Sequence, residues 1–287
     1  MIDLHCHLLP GVDDGARNLS VSLAMASAAV AQGTTVVACT PHILPGVYQN
    51  SGPAIREATK QLQDALDQEE IPLQLTTGAD VHMAPNFVAG LRSGQLLTLA
   101  DSRYVLVEPP HNVAPPQIED FFFNLVTAGY VPILTHPERL SWLRSRYDTI
   151  KKLVQTGVWM QLTAGSFTGA FGRTALYWAQ RLLDEGCVHL IASDAHDAER
   201  RPPDMALGRE AVAKRIGAEE ARHLVSTRPM GILKDQPPSS LPGPGRVADA
   251  ESVGIPEQWP TRGEPDIGNH AAAGLRGFSG RLRRLFR

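Results

Sequence analysis

Asp3-Leu4-His5-Cys6-His7, near the start of a 287-residue chain, carries two imidazoles two positions apart in a stretch suited to a strand. Alternation along extended backbone sends His5 and His7 to one face and turns Cys6 to the other. Two imidazoles pointing together can grip a metal ion, although the same pair also suits an ordinary polar strand end. The choice rests on whether the rest of the chain supplies partners at equivalent places.

It does so repeatedly. Thr34-Thr35-Val36-Val37-Ala38-Cys39 is a β-branched run stopped by Thr40-Pro41-His42, which places His42 just past a strand's C-terminal end. Residues 73–77 run into Gly78-Ala79-Asp80, residues 104–107 into Glu108-Pro109-Pro110, and residues 131–134 into Thr135-His136-Pro137-Glu138-Arg139. Strands at 158–162 and 188–192 follow, the last ending in Ser193-Asp194-Ala195-His196. Helices are predicted over 19–32 with Asn18 as N-cap, and over 53–69, 117–128, 146–156 and 173–185. Seven short apolar strands that mostly alternate with helices predict an α/β protein whose parallel sheet closes into a barrel. In such a barrel the strand C-termini form one rim where residues remote in sequence meet. Six of the seven strand ends carry His, Asp or Glu there.

At 43% hydrophobic residues the chain can bury the core of one large domain. Its 27 basic and 30 acidic residues give a net charge of -3, which argues against nucleic acid as a partner. Cys6, Cys39 and Cys187 are too few and too scattered for a disulfide framework. With no basic leader before an apolar core, and no run of about 18 apolar residues, a cytoplasmic protein is expected. Beyond residue 234 the chain turns rich in Pro, Gly and Ser, so residues 235–287 are expected to form a disordered tail. Near its end, Phe278, Leu282, Leu285 and Phe286 fall at helical spacing among Arg276, Arg281, Arg283, Arg284 and Arg287. That pattern suits a membrane surface or a partner, or a frayed solubilising end.

The candidate ligands are His5, His7, Asp14, His42, Asp80, Glu108, His136, Asp194 and His196. Nine nitrogen and oxygen donors with no thiolate exceed the needs of one ion and suit a cluster of two or three divalent ions, Mn, Fe, Zn or Mg. The other histidines, His82, His111, His189, His223 and His270, are expected at the surface or as outer contacts, with His82 near Asp80 and His111 near Glu108.

The opening Ile2-Asp3-Leu4-His5-Cys6-His7-Leu8-Leu9-Pro10-Gly11-Val12-Asp13-Asp14-Gly15, taken with the motifs ending in His42, Arg139 and His196, resembles the polymerase and histidinol phosphatase (PHP) superfamily. More narrowly it is similar to the CpsB-type metal-dependent protein tyrosine phosphatases of bacterial capsule and exopolysaccharide loci. The resemblance covers residues 1–234, the expected phosphatase domain, and implies a distorted seven-stranded (β/α)7 barrel with three ions, Mn foremost, at the C-terminal rim. It implies one ion on His5, His7, Asp80 and Asp194, a second on Asp80, Glu108 and His136, and a third on Asp14, His42 and His196. It further implies that Arg139 and Arg201, with Arg200 as an adjacent alternative, bind phosphate, and that His42 belongs to the catalytic set. One departure stands out: the family usually has Glu where this chain has Asp80. A side chain shorter by one methylene must draw its backbone inward or lengthen a metal bond, so altered metal affinity is expected.

Such a cluster suits phosphate ester hydrolysis by metal-activated hydroxide. A tyrosine leaving group, with a pKa of about 10, departs with modest proton donation. A cysteine phosphatase needs Arg six positions after its nucleophile, and here those positions hold Val12, Pro45 and Ser193, so that mechanism is excluded. The substrate implied by the resemblance is the tyrosine-rich tail of a membrane-associated bacterial tyrosine kinase that regulates polysaccharide synthesis and export. The alternatives are a PHP phosphatase or phosphodiesterase for a small molecule such as histidinol phosphate, and a non-catalytic regulatory protein with a degraded metal site. Homo-oligomer formation is left open by the sequence.

Overall fold

A computed structural model of the chain describes residues 1–247. Asn18 opens the first helix, Leu19–Ala31: its backbone is extended and its Oδ1 accepts the Val21 N–H at 3.0 Å. Helices Gly52–Gln68, Ile118–Thr127, Tyr147–Gln155 and Gly172–Asp184 stand where the apolar spacing predicts them. Their Ile55, Leu62, Phe122, Ile150, Leu153 and Leu182 pack with Val105, Val107, Leu134, Met160 and Leu162 of the strands in one apolar layer. Burying such side chains stabilises by roughly 1.5–3 kcal/mol each, which makes this layer the main support of the sheet.

The strands are β1 (Ile2–Cys6), β2 (Val36–Cys39), β3 (His42–Ile43), β4 (Gln74–Thr77), β5 (Asp80–His82), β6 (Tyr104–Glu108), β7 (Val131–Thr135), β8 (Trp159–Thr163) and β9 (Leu190–Ala192). All pairings between them are parallel, in one sheet of order β1-β2-β4 and a second of order β3-β5-β6-β7-β8-β9. The sequence predicts seven strands in one sheet; nine in two sheets are present among the described residues. The difference arises where two predicted strands continue past a break. Pro41 has no N–H to give to a ladder, so β2 stops before it and resumes as β3. Gly78 interrupts the neighbouring strand in the same way, and a Cβ there would lie 2.8 Å from the Leu99 side chain and 2.9 Å from that of Thr40. Register is kept across both breaks, with Val36 opposite Gln74, Cys39 opposite Thr77 and His42 opposite Asp80. The two sheets also meet elsewhere. The Asp194 N–H donates to the His5 carbonyl at 2.8 Å, and the His7 N–H to the Ala195 carbonyl at 2.9 Å.

Ile2, Leu4, Tyr104, Leu106, Ile133, Trp159 and Leu190 form a second, smaller apolar cluster, away from the helix layer. Two residues beyond Leu106 on the same face comes Glu108, and two beyond Trp159 comes Gln161, so apolar packing gives way to polar groups toward the strand C-termini.

Segments the apolar spacing misses include helices Phe87–Arg92, Met205–Ile216, Ala218–Arg222 and Arg228–Leu233. The expected tail is corrected at its start, because residues 235–247 pack on the body. Asp235 pairs with Arg103 at 2.9 Å, the Gln236 carbonyl accepts the Tyr104 hydroxyl at 2.7 Å, and the Val247 N–H donates to the Asp184 carbonyl at 2.9 Å. Two of these contacts are made by backbone groups of the segment and the third by one exposed ion pair, so composition gives little sign of them. His270 and the arginine-rich stretch 276–287 lie outside the described residues. Among the described residues no helix is long and apolar enough to cross a membrane.

Candidate metal centre

Six segments bring the nine candidate ligands together. His5 leaves β1 next to a register shift between Asp3 and Cys6, and His7 follows the strand's end. A bulge of this kind re-aims side chains, so strict alternation is replaced by local geometry, yet the two rings still converge with Nε2 atoms 3.2 Å apart. His136 (φ 34°) and Asp194 (φ 50°) both adopt left-handed backbone just past β7 and β9. Such strain in residues with a Cβ costs on the order of 1–3 kcal/mol and persists where the surroundings enforce it.

Each of three histidines has its outer nitrogen held by an acceptor. His5 Nδ1 lies 2.8 Å from Gln161 Oε1, His7 Nδ1 2.7 Å from Asp13 Oδ2, and His196 Nδ1 3.0 Å from the Asp194 carbonyl. A proton fixed at Nδ1 leaves the Nε2 lone pair free, the arrangement usual for metal-ligating histidine. His5 Nε2 lies 3.5 Å from both Asp80 Oδ2 and Asp194 Oδ1, and His7 Nε2 3.4 Å from Asp194 Oδ1. Asp14 Oδ1 lies 3.5 Å from His42 Nε2 and 3.4 Å from His196 Nε2. Glu108 Oε1 faces His136 Nε2 at 3.6 Å, and the second nitrogen of His42 sits between Asp80 Oδ2 (3.4 Å) and Glu108 Oε2 (3.2 Å).

Donor atoms of His5, His7 and Asp80, and those of His7, Asp14, His42 and His196, fall in two compact groups, each within 4.8 Å throughout. Ligands bound at about 2.0–2.2 Å to one ion stand at such mutual separations. The buried oxygens of Asp80 and His136 Nδ1 have no hydrogen-bond partner in the chain, and Glu108 Oε2 meets only imidazoles, those of His42 and His82. Unpartnered buried carboxylate oxygens cost several kcal/mol, and divalent ions would remove that cost. The side chains therefore fit the ions they are expected to hold.

Charge around the rim is arranged to match. Burial would push the His7 ring down, but Asp13 and Asp194 together outweigh it and raise the ring of the metal-free chain to about 9. His196 is pushed down to about 4 by burial and by the neighbouring His7 and Arg201, and burial with Arg139 holds His136 well below its ordinary value. Burial opposes the charge on Asp194, yet Arg201 and Arg139 keep it ionised far below the usual carboxylate range. Both predicted phosphate-binding arginines reach Asp194 Oδ2, Arg201 Nη2 at 2.7 Å and Arg139 through Nη1. Their guanidinium carbons stand 4.5 Å (Arg139) and 5.8 Å (Arg201) from the centre of the Phe171 ring. All three cysteines are buried and unpaired, with burial pushing Cys39 up to about 12 and Cys187 up to about 11, so no thiolate nucleophile is available.

Sequence reasoning misses several supporting residues. Asp13 was legible as half of the Asp13-Asp14 pair, and Gln161 as a polar residue inside a buried strand. Asp3, whose carboxylate accepts the Ser193 N–H at 3.0 Å, ties β1 to the Asp194 turn. Phe171 gives no sequence signal. His189 is corrected from an outer position to a buried one, stacked on Trp159 at 4.9 Å. His82 and His111 both face Glu108, at 2.5 Å and 2.9 Å.

Comparison with known proteins places these features. Tyrosine-protein phosphatase YwqE of Bacillus subtilis is 40% identical over 201 residues, 70% of this chain and 79% of that protein. Tyrosine-protein phosphatase CpsB of Streptococcus pneumoniae is 28% identical over 241 residues, 82% of this chain and 99% of that protein. A crystal structure described among those of YwqE and CpsB, "unique metal-dependent tyrosine phosphatases", superposes with a TM-score of 0.81 at 35% identity, covering 86% of this chain and 98% of that one. The family profile described as "Capsular polysaccharide synthesis, CpsB/CapC" matches residues 1–234, and the chain belongs to that family.

Proposed function

We propose that this chain is a metal-dependent protein tyrosine phosphatase of polysaccharide synthesis. The observation that carries the proposal is the rim itself, where buried, unpartnered ligand atoms converge beside two arginines that share Asp194. Kinship with the CpsB/CapC family supports it. Taking β2 with β3 and β4 with β5 as one broken strand each, we infer a seven-stranded barrel carrying the site at its C-terminal rim.

Three divalent ions, Mn foremost, are proposed on the residue sets the family resemblance implies. The separations around His5, His7, Asp80 and Asp194, and around Asp14, His42 and His196, support two of those sets. Bound ions would neutralise phosphoryl charge and acidify a water toward neutral pH. The protein's own part is to orient and to hold charge. Arg139 and Arg201 can fork onto phosphoryl oxygens in place of Asp194 Oδ2. Phe171 backs both guanidiniums. His42 lies 12% exposed at the mouth, on the side of Asp14 and Tyr48. The proposed substrate is a phosphotyrosine tail of a membrane-associated bacterial kinase, met from the cytoplasmic side. Residues 1–234 carry catalysis, braced by 235–247.

Turnover of a phosphotyrosine peptide and of histidinol phosphate, compared with Mn present, tests this. Preferential hydrolysis of the peptide is expected. Turnover of histidinol phosphate alone would replace the protein substrate with a small-molecule ester.

A further inference from the structure

Two imidazoles outside the nine-ligand set crowd Glu108, one at each carboxylate oxygen: His111 Nε2 lies 2.9 Å from Oε1 and His82 Nε2 2.5 Å from Oε2. His111 is the one grouped with His136: a His111 ring nitrogen, a Glu108 oxygen and a His136 nitrogen lie within 4.8 Å of one another, with ring centres 5.0 Å apart, whereas His82 groups with Glu108 and His42. The loop that carries it is anchored. Trp142 Nε1 donates to the Pro110 carbonyl at 2.8 Å, and the Ser141 N–H and hydroxyl donate to the His111 carbonyl at 3.1 and 3.0 Å. Ser141 and Trp142 closely follow the His136–Arg139 turn, so the same segment fixes both imidazoles relative to Glu108.

The ion assigned by resemblance to Asp80, Glu108 and His136 has only one nitrogen ligand, and Asp80 is a methylene shorter than the usual Glu. We propose that His111 is a further ligand of that ion, completing a Glu108–His111–His136 set, while His82 is a positioning residue that holds Glu108 from its other oxygen. The proposal rests on the metal reading of the rim. A second imidazole shifts the site from hard oxygen donors toward borderline ions, so Mn, Fe or Zn is retained in preference to Mg.

The test is equilibrium metal content of the full chain, measured by mass spectrometry after dialysis against limiting Mn or Zn, for wild type, His111→Ala and His111→Gln. Gln keeps a donor for Glu108 but is a poor ligand for these ions. Both variants should hold one ion fewer than wild type, with that ion's affinity lowered about a hundredfold or more, beyond the 10- to 100-fold cost of losing an outer partner. Wild-type affinity in His111→Gln would show that His111 only orients Glu108, and unchanged content in His111→Ala would leave it no role at the ion; either overturns the proposal. A wild-type chain that retains no ion would overturn the metal reading and this inference together.

Discussion

The rim and the Arg228 node are both buried and both built from charged side chains, but they differ in what completes them. Arg228 is fully buried, and each of its three nitrogens has an acceptor: Nε the Pro242 carbonyl at 2.8 Å, Nη1 the His189 carbonyl at 3.2 Å, and Nη2 the Gly243 carbonyl at 2.6 Å and Glu220 Oε2 at 2.9 Å. The chain supplies an acceptor for every guanidinium nitrogen, and Glu220 Oε1 keeps an opposite charge 2.8 Å away at Nη1, so the cluster is structural. At the rim both Asp80 oxygens lack a partner although His5 and His42 stand 3.5 and 3.4 Å away. Unsatisfied buried carboxylate oxygens ringed by imidazoles are accounted for by a bound cation.

If this distinction holds, mutations in the two places separate activity from stability. The largest effect is expected from Asp80→Asn, which should lower phosphotyrosine hydrolysis by about a hundredfold or more while leaving the melting temperature of metal-free protein unchanged or raised. Next, Arg228→Met strands Glu220 and should cost about 3–5 kcal/mol in chemical denaturation, with kcat unchanged under folding conditions. Asp13→Ala frees the outer nitrogen of His7 and should weaken metal binding about 10- to 100-fold, read by titration with Mn.

The node also predicts a pH effect. Burial, followed by Arg228, pushes His189 down to about 3 from an ordinary 6.5. Above pH 6.5 the ring is neutral in both states and contributes no pH dependence. As pH falls toward 3 the unfolded chain takes up a proton that the folded chain refuses, so stability is lost, by about 2 kcal/mol at pH 5. His189→Gln should flatten the denaturation profile between pH 5 and 7. The smallest change is expected from Asp80→Glu, a few-fold in activity; a silent protein awakened by this change would instead mark the rim as decayed.

The strands and helices were legible because apolar runs punctuated by Gly and Pro report burial directly. His42, Asp80, Glu108, His136 and Asp194 were legible because each follows such a run. Less visible were the continuations at His42–Ile43 and Asp80–His82, too short to show a period. The contacts that orient ligands, Gln161 to His5 and Asp13 to His7, join residues by tertiary geometry and leave little trace in spacing. Asp80-Val81-His82 repeats the alternation of His5-Cys6-His7, with Val81 buried between two side chains that face Glu108 or His42, and this was the missed signal for His82.

Chelation tests the rim most directly. Phosphotyrosine-peptide hydrolysis by the full chain should disappear when bound ions are dialysed away against a chelator and return when Mn is restored. Undiminished hydrolysis by protein in which elemental analysis detects no divalent ion would contradict it.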